Sequence, residues 1–85
     1  MAPEQRIQIV SPNEFIVPGD LRLSDVNEIL KLNLDSEIYD TLGGWLLEKF
    51  DALPSVGEML KNDNVVFMIE DQSQRRIQSV RVKLA

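Results

Sequence analysis

The chain has 85 residues, of which 44% are hydrophobic and 27% are charged, and its formal net charge is −5. This size and composition are typical of one small globular domain. The absence of cysteine and histidine excludes disulfides, thiolate or imidazole metal sites and histidine-activated nucleophiles. No apolar run approaches the ~20 residues of a membrane-spanning helix, so we expect the chain to be soluble by itself.

The charges are distributed unevenly along the chain. All 14 acidic residues lie before residue 75, and the basic residues after that point are Arg75, Arg76, Arg81 and Lys83. Because an acidic domain repels phosphate backbones, we expect no nucleic-acid binding. The basic segment could dock on an acidic partner or an anionic membrane surface. The favoured interpretation is pairing across a sheet with acids such as Glu58, Glu70 and Asp71.

The first 20 residues predict a β-hairpin. Residues 1–5 are expected to be disordered or a remnant of the chain start, and residues 6–85 to form a single domain. Alternation over residues 6–10 and the apolar run at residues 15–17 predict two strands. The turn residues of segment 11–14 lie between them.

A first helix is predicted after the hairpin. Ser24 is its candidate N-cap, because a serine hydroxyl can accept from free backbone N–H groups. Val26 and Leu30 are spaced as on one helical face. Leu32 or Leu34 is expected to close the segment.

A second helix is predicted over the stretch from Tyr39 to Phe50, and it is apolar around nearly its whole circumference. Thr41 can cap its start. Gly43 and Gly44 each lower helix propensity by about 1 kcal/mol relative to alanine. We therefore expect another backbone to lie close against the first turn.

Three strands are predicted after the second helix. The first spans residues 59–61, and the second, at residues 65–69, is expected to be central and covered on both faces. A polar loop is predicted at residues 70–74, and the last strand at 77–84. Ile77 is out of phase with the rest of that strand, which predicts either a bulge near Gln78-Ser79 or a strand start that faces both sides.

Strands and helices are thus segregated along the chain rather than alternating. The predicted fold class is α+β. An antiparallel sheet, made of the N-terminal hairpin and the three C-terminal strands, is expected to pack with two helices.

Two groups of residues are candidates for ligand binding. The carboxylates of Asp35, Glu37 and Asp40 could bind Mg²⁺ or Ca²⁺, or could instead serve the two helix N-termini. Backbone N–H groups at Gly43-Gly44 could cradle a phosphate, although close packing is the favoured interpretation. No residue is an evident catalyst, so the chain is not expected to be an enzyme.

One segment of the chain resembles the signature of the transporter-associated domain of CorC/HlyC type. It is the Tyr-Asp-Thr-Leu-Gly-Gly run at residues 39–44, which is followed by an apolar helix. Other segments that resemble this family in order and spacing are residues 15–19, 23–32, 53–58 and 75–82. The resemblance covers roughly residues 7–84, which is nearly the whole chain.

The resemblance implies a fold grouped with FAD-binding domains, without a known need for flavin or any other cofactor, and without established catalytic residues. It implies a module of bacterial magnesium and cobalt efflux or hemolysin-like proteins, on the cytoplasmic face of the inner membrane. Its expected partners are the membrane and CBS domains of the parent transporter, or a second copy in a homodimer.

Two functions remain open at this point. The favoured hypothesis is a non-catalytic domain that modulates ion transport by protein contact, through an unpaired edge strand along residues 77–84. Its candidate interaction residues are Arg75, Arg76, Arg81 and Lys83. The alternative is a small-ligand sensor, which binds a divalent cation at Asp35, Glu37 and Asp40 or an adenine nucleotide near Gly43-Gly44.

Overall fold

The computed structural model describes residues 2–85. Its elements in chain order are a one-turn 3-10 helix Pro3–Arg6, then β1 Gln8–Ser11, β2 Glu14–Pro18, α1 Leu23–Leu30, α2 Leu42–Phe50, β3 Met59–Asn62, β4 Val65–Ser73 and β5 Arg76–Lys83. The 3-10 turn occupies most of the stretch that was predicted to be disordered, and Met1 lies outside the described residues. Of the helices in residues 2–85, none has the length and apolar content needed to span a bilayer.

The five strands form one antiparallel sheet in the order β1-β2-β5-β4-β3. The predicted α+β class and the N-terminal hairpin are therefore confirmed. The last strand, however, is not at an edge. Its residues pair with β2 on one side and with β4 on the other, so the prediction of strand addition along residues 77–84 is wrong. The two edges are β1 and β3.

The β4–β5 hairpin is longer than predicted. The segment 70–74 is not a polar loop, because β4 continues to Ser73 and pairs there with Arg76. The turn consists of Gln74 and Arg75, whose φ angles are 54° and 60°, as in the tight turns that suit a twisted hairpin. Polar residues continue the strand because β5 offers backbone partners along its whole length.

Pairing between β4 and β5 shifts register in the middle of the ladder. Ile69 lies opposite Val80, but Asp71 lies opposite Ser79 and Gln72 opposite Ile77. This shift confirms the irregularity predicted near residues 78–79. Because of it, Ile77 and Val80 are both buried in the core.

Only one face of the sheet is covered by helices. In β4, Val65, Phe67 and Ile69 are buried, whereas Val66 and Met68 are half-buried. The expectation that this strand is covered on both faces is therefore wrong. Alternate residues of a strand point to opposite sides, and the core that includes both helices lies on one of them.

Helix α1 begins earlier and ends earlier than predicted. Ser24 lies in its first turn and is exposed, and Arg22 occupies the N-cap position without a side-chain cap. The N–H of Leu23 donates instead to the carbonyl of Asp40 at 2.7 Å. The helix stops at Leu30 because Lys31 adopts the left-handed conformation, with φ 58° and ψ 48°.

Helix α2 begins at Leu42, directly after the predicted cap and three residues after the start of the predicted stretch. The Thr41 hydroxyl accepts from the N–H of Gly44 at 3.1 Å, which confirms it as the N-cap. Trp45 is 1% exposed, and its ring lies 5.0 Å from that of Phe67 on β4, with a tilt of 56°. This contact joins α2 to the covered face of the sheet.

The start of α2 lies directly against the chain that leaves β2. The N–H of Gly43 donates to the carbonyl of Gly19 at 2.8 Å, and the N–H of Gly19 donates to the carbonyl of Gln78 at 2.8 Å. A Cβ atom at Gly43 would lie 3.0 Å from the Gly19 oxygen, and one at Gly19 would lie 1.9 Å from the Ile77 oxygen. The close backbone approach predicted for Gly43 and Gly44 is confirmed at Gly43, but at Gly44 the neighbour is the side chain of Tyr39. The tightest backbone contact is at Gly19.

We expect Gly19→Ala to lower the free energy of unfolding by about 2–3 kcal/mol, because the new methyl group meets a backbone oxygen that cannot move freely. Gly43→Ala should change it by less than about 1 kcal/mol, since its milder contact is offset by better helix propensity. Urea denaturation of both variants measures the difference. Equal losses at the two positions would contradict this account of the crossing.

Candidate functional site

The starts of the two helices lie side by side and satisfy each other's backbone groups. Arg22 and Thr41 form an isolated antiparallel bridge. Beside it, the N–H of Leu23 donates to Asp40, and the N–H of Leu42 donates to the carbonyl of Leu21 at 2.9 Å. Two helix N-termini, where free donors are usually found, are thus joined through the chain segments that precede them.

The phosphate cradle considered at Gly43-Gly44 lacks its donors. The N–H of Leu42 binds Leu21, the N–H of Gly43 binds Gly19, and the N–H of Gly44 binds the Thr41 hydroxyl. An anion at a helix start requires such N–H groups to be free. The geometry therefore favours close packing over nucleotide binding at these glycines.

The loop between the helices, residues 31–41, is held to α1 by one side chain. Asn27 donates from Nδ2 to the carbonyl of Leu34 at 2.9 Å, and its Oδ1 accepts from the N–H of Leu34 at 2.8 Å. Further along, the Ser36 hydroxyl accepts from the N–H groups of Ile38 and Tyr39 at 3.2 and 3.0 Å. These bonds fix the backbone from which Tyr39 reaches α2.

The predicted metal ligands all lie on this loop and are exposed. Asp35 and Asp40 line one groove at the start of α1, together with Arg22, whereas Glu37 lies outside it. Within residues 2–85, no group of three or more acidic residues is placed so that it could hold a metal ion. Cation binding at Asp35, Glu37 and Asp40 therefore stays a prediction from the sequence.

The four basic residues of the C-terminal segment are not gathered in one place. Arg75 lies in the β4–β5 turn and Arg76 next to it, whereas Arg81 and Lys83 lie further along β5. Arg75, Arg76 and Lys83 are exposed, and none of these three forms an ion pair within residues 2–85.

Arg81 is bound on the open face of the sheet. Its Nε donates to Glu70 at 2.9 Å, and its Nη1 donates to Glu14 on β2. The predicted pairing is thus confirmed for Glu70, whereas Glu58 and Asp71 form no ion pair within residues 2–85. Glu14 was missed because only the β2–β5 pairing brings it beside a residue 67 positions later. The hydrogen bonds from Arg81 hold the pKa of Glu70 below its usual value.

An exposed apolar surface next to the loop was also missed by the sequence analysis. Ile38 is 73% exposed and Tyr39 37% exposed. Leu47, on α2, contributes to the same surface and is half-buried. No periodicity could have identified this surface, because it joins a loop to the outer side of α2.

Comparison with known proteins identifies one protein family. Residues 8–85 match the model of the transporter associated domain, CorC_HlyC. UPF0053 protein YrkA of Bacillus subtilis is 30% identical over 77 residues, covering 89% of this chain and 17% of the relative. Magnesium and cobalt efflux protein CorC of Escherichia coli K12 is 34% identical over 75 residues, covering 88% and 26%. The chain thus spans about a quarter or less of the length of these relatives.

Solved structures have the same fold. A CorC_HlyC transporter associated domain from Nitrosomonas europaea is 27% identical, with a TM-score of 0.85, covering 93% of this chain and 95% of the other. A region associated with a Mg²⁺ and Co²⁺ transporter, CorC, from Neisseria meningitidis is 22% identical, with a TM-score of 0.87, covering 94% and 99%.

The lowered pKa of Glu70 predicts how stability depends on pH. A carboxylate with a lowered folded-state pKa stabilises the fold above its unfolded pKa, and this contribution is lost as pH falls through the folded value. Glu70→Gln should therefore lower the melting temperature above about pH 5, and the deficit should shrink below about pH 4. Thermal melts across this range measure it.

Glu37→Gln is the matched control, because Glu37 is exposed and forms no ion pair within residues 2–85. Its melting curve should follow that of the unsubstituted chain at every pH. A deficit for Glu70→Gln that is constant from acidic to neutral pH would contradict the role of its charge.

Proposed function

The chain belongs to the CorC/HlyC family of transporter-associated domains, and from this premise we propose that it is a regulatory domain that modulates ion transport by protein contact. The parent would be a magnesium and cobalt efflux protein or a hemolysin-like transporter. Its contacts would be with the CBS and membrane domains of that transporter, on the cytoplasmic face of the inner membrane. No catalytic step is assigned to it.

One observation carries this proposal: the backbone N–H groups at the helix starts are already hydrogen-bonded, whereas apolar side chains of the same region are exposed to solvent. The N–H groups that could bind an anion are used within the fold. In the loop that precedes α2, Ile38 exposes 73% of its surface, and Leu53, which follows the end of α2 and lines the same hollow, exposes 38%. Exposed apolar groups gathered in one place favour contact with another protein.

A second candidate function, a cation sensor, is favoured by a single feature. Asp35 and Asp40 line the same groove, and oxygen ligands of this kind suit Mg²⁺. A hemolysin domain from Xylella fastidiosa, described in complex with Mg²⁺ and Mn²⁺, has a TM-score of 0.82 but 22% identity to this chain. At that identity the likeness extends to the fold alone, so the cation hypothesis depends on the two aspartates.

Backbone amide NMR during titration separates the two functions. With Mg²⁺, Co²⁺, ATP or FAD, a contact domain should give no saturable shifts. Saturable shifts confined to residues 35–44 would overturn the proposal in favour of a sensor. Where Mg²⁺ or Co²⁺ causes them, Asp35→Asn with Asp40→Asn should abolish them. Shifts that survive this double substitution would report binding elsewhere on the domain.

A chimera tests the regulatory role itself. The segment of Escherichia coli CorC that matches this chain would be deleted, or replaced by this chain, and Co²⁺ efflux would be measured in cells. We expect deletion to change efflux and replacement to restore it at least in part. If the deleted protein behaves like the intact one, transport does not depend on this domain and the proposal is wrong.

A further inference from the structure

An apolar strip follows the outer side of α2 and the loop that precedes it. It consists of two adjoining hollows of about 430 and 380 Å³, and Tyr39 and Leu47 line both. We call this surface the α2 strip. Its apolar side chains are Ile38, Tyr39, Leu47, Ala52 and Leu53.

The α2 strip is held in place before any partner arrives. Tyr39 lies directly on Gly44, where an added Cβ atom would come within 2.6 Å of the tyrosine Cβ, Cγ and Cδ1 atoms. Its backbone is bound by Ser36, and Leu47 projects from a helix. A surface that is already ordered loses little conformational entropy when it binds.

Opposite charges lie at the two ends of the strip. Arg76 and Asp20 line one hollow, and Glu48 and Asp51 line the other. Asp20 is paired with Arg6, whereas Arg76, Glu48 and Asp51 form no ion pair within residues 2–85. The strip therefore has an apolar middle, one basic end and one acidic end.

This pattern is complementary to itself. In a two-fold dimer, a residue at one end of the interface contacts the opposite end of the same surface on the second copy, and each such contact occurs twice. Rotation about an axis near Tyr39 and Leu47 would place Arg76 of each copy beside Glu48 and Asp51 of the other. The apolar side chains would meet in the middle, where burial contributes most to binding.

The sheet edges are less suited to self-association. β3 carries Lys61, which is exposed on that edge strand, and β1 shifts register between Ile9 and Ser11. Edge lysines and bulges are devices that hinder strand addition. The α2 strip has no such protection.

We propose that the α2 strip is a homodimer interface, occupied by the same strip of a second copy. The inference rests on the proposed contact function and names one partner for it. Arg76 and Glu48 form reciprocal ion pairs across the axis, and each pair occurs twice in the dimer.

Sedimentation of the chain over a wide concentration range tests the interface. We expect Arg76→Glu and Glu48→Lys each to raise the dimer dissociation constant about tenfold, because each substitution brings like charges together twice. The double variant should return the constant close to its starting value, since the pairs are re-formed with exchanged signs. Ile38→Asp should abolish the dimer, and melting curves should confirm that the variants remain folded.

Lys61→Glu is the matched control, because it changes the net charge as Arg76→Glu does but lies on β3. It should leave dimerisation unchanged. A monomer at every concentration overturns the inference. So does a dimer whose dissociation constant is unchanged by the single substitutions, or one whose dissociation constant stays raised in the double variant.

The inference and the proposed function fail in different experiments. A monomeric domain whose CorC chimera restores Co²⁺ efflux overturns the homodimer and leaves contact with the transporter in place. The reverse result is a dimer that responds to charge exchange as expected, while deletion of the matching segment of CorC leaves Co²⁺ efflux unchanged. That result overturns the regulatory proposal and leaves the homodimer in place.

Discussion

The fold depends on a point where three backbone segments cross without side chains between them. Gly43 donates to Gly19, and Gly19 donates to Gln78 on the central strand. These two hydrogen bonds connect α2 to β5 through the chain that leaves β2. Any Cβ atom at Gly19 would overlap the Ile77 carbonyl, so the close approach that positions α2 over the sheet requires glycine there. The contact between Trp45 and the sheet follows from this placement.

The same crossing determines what the helix starts can bind. Glycines at the beginning of a helix commonly indicate an anion site, because they leave backbone donors accessible. Here the donors of Leu42 and Gly43 point to Leu21 and Gly19, so the glycines serve packing inside the protein. The function is therefore sought on the outer side of α2, where the apolar side chains remain exposed.

Features with a local physical cause were predictable from the sequence. The cap at Thr41 needs only a hydroxyl three residues before an N–H, and the close approach at Gly43 was indicated by its cost in a helix. The errors arose where a distant segment decides the outcome. Ser24 is not a cap because Asp40 satisfies the first donor of α1. Glu14 was missed as a partner of Arg81 because strand order cannot be derived from one strand at a time. The α2 strip was missed for a different reason, because it joins an irregular loop to the outer side of the helix that follows and therefore has no periodicity.

The fold also changes the meaning of the basic C-terminal segment. Residues that are neighbours in sequence separate quickly in a strand, at about 3.3 Å per residue. Arg76 and Lys83 are the first and last residues of β5, so they lie about 23 Å apart. Between them, Arg81 is bound to two carboxylates and contributes little free positive charge. A run of basic residues thus becomes separate charges rather than one patch, which argues against docking on an anionic membrane. Within residues 2–85, the charges left unpaired at the α2 strip are Arg76 at one end and Glu48 and Asp51 at the other. This arrangement suits a partner that carries an acid opposite Arg76 and a base opposite the two acids.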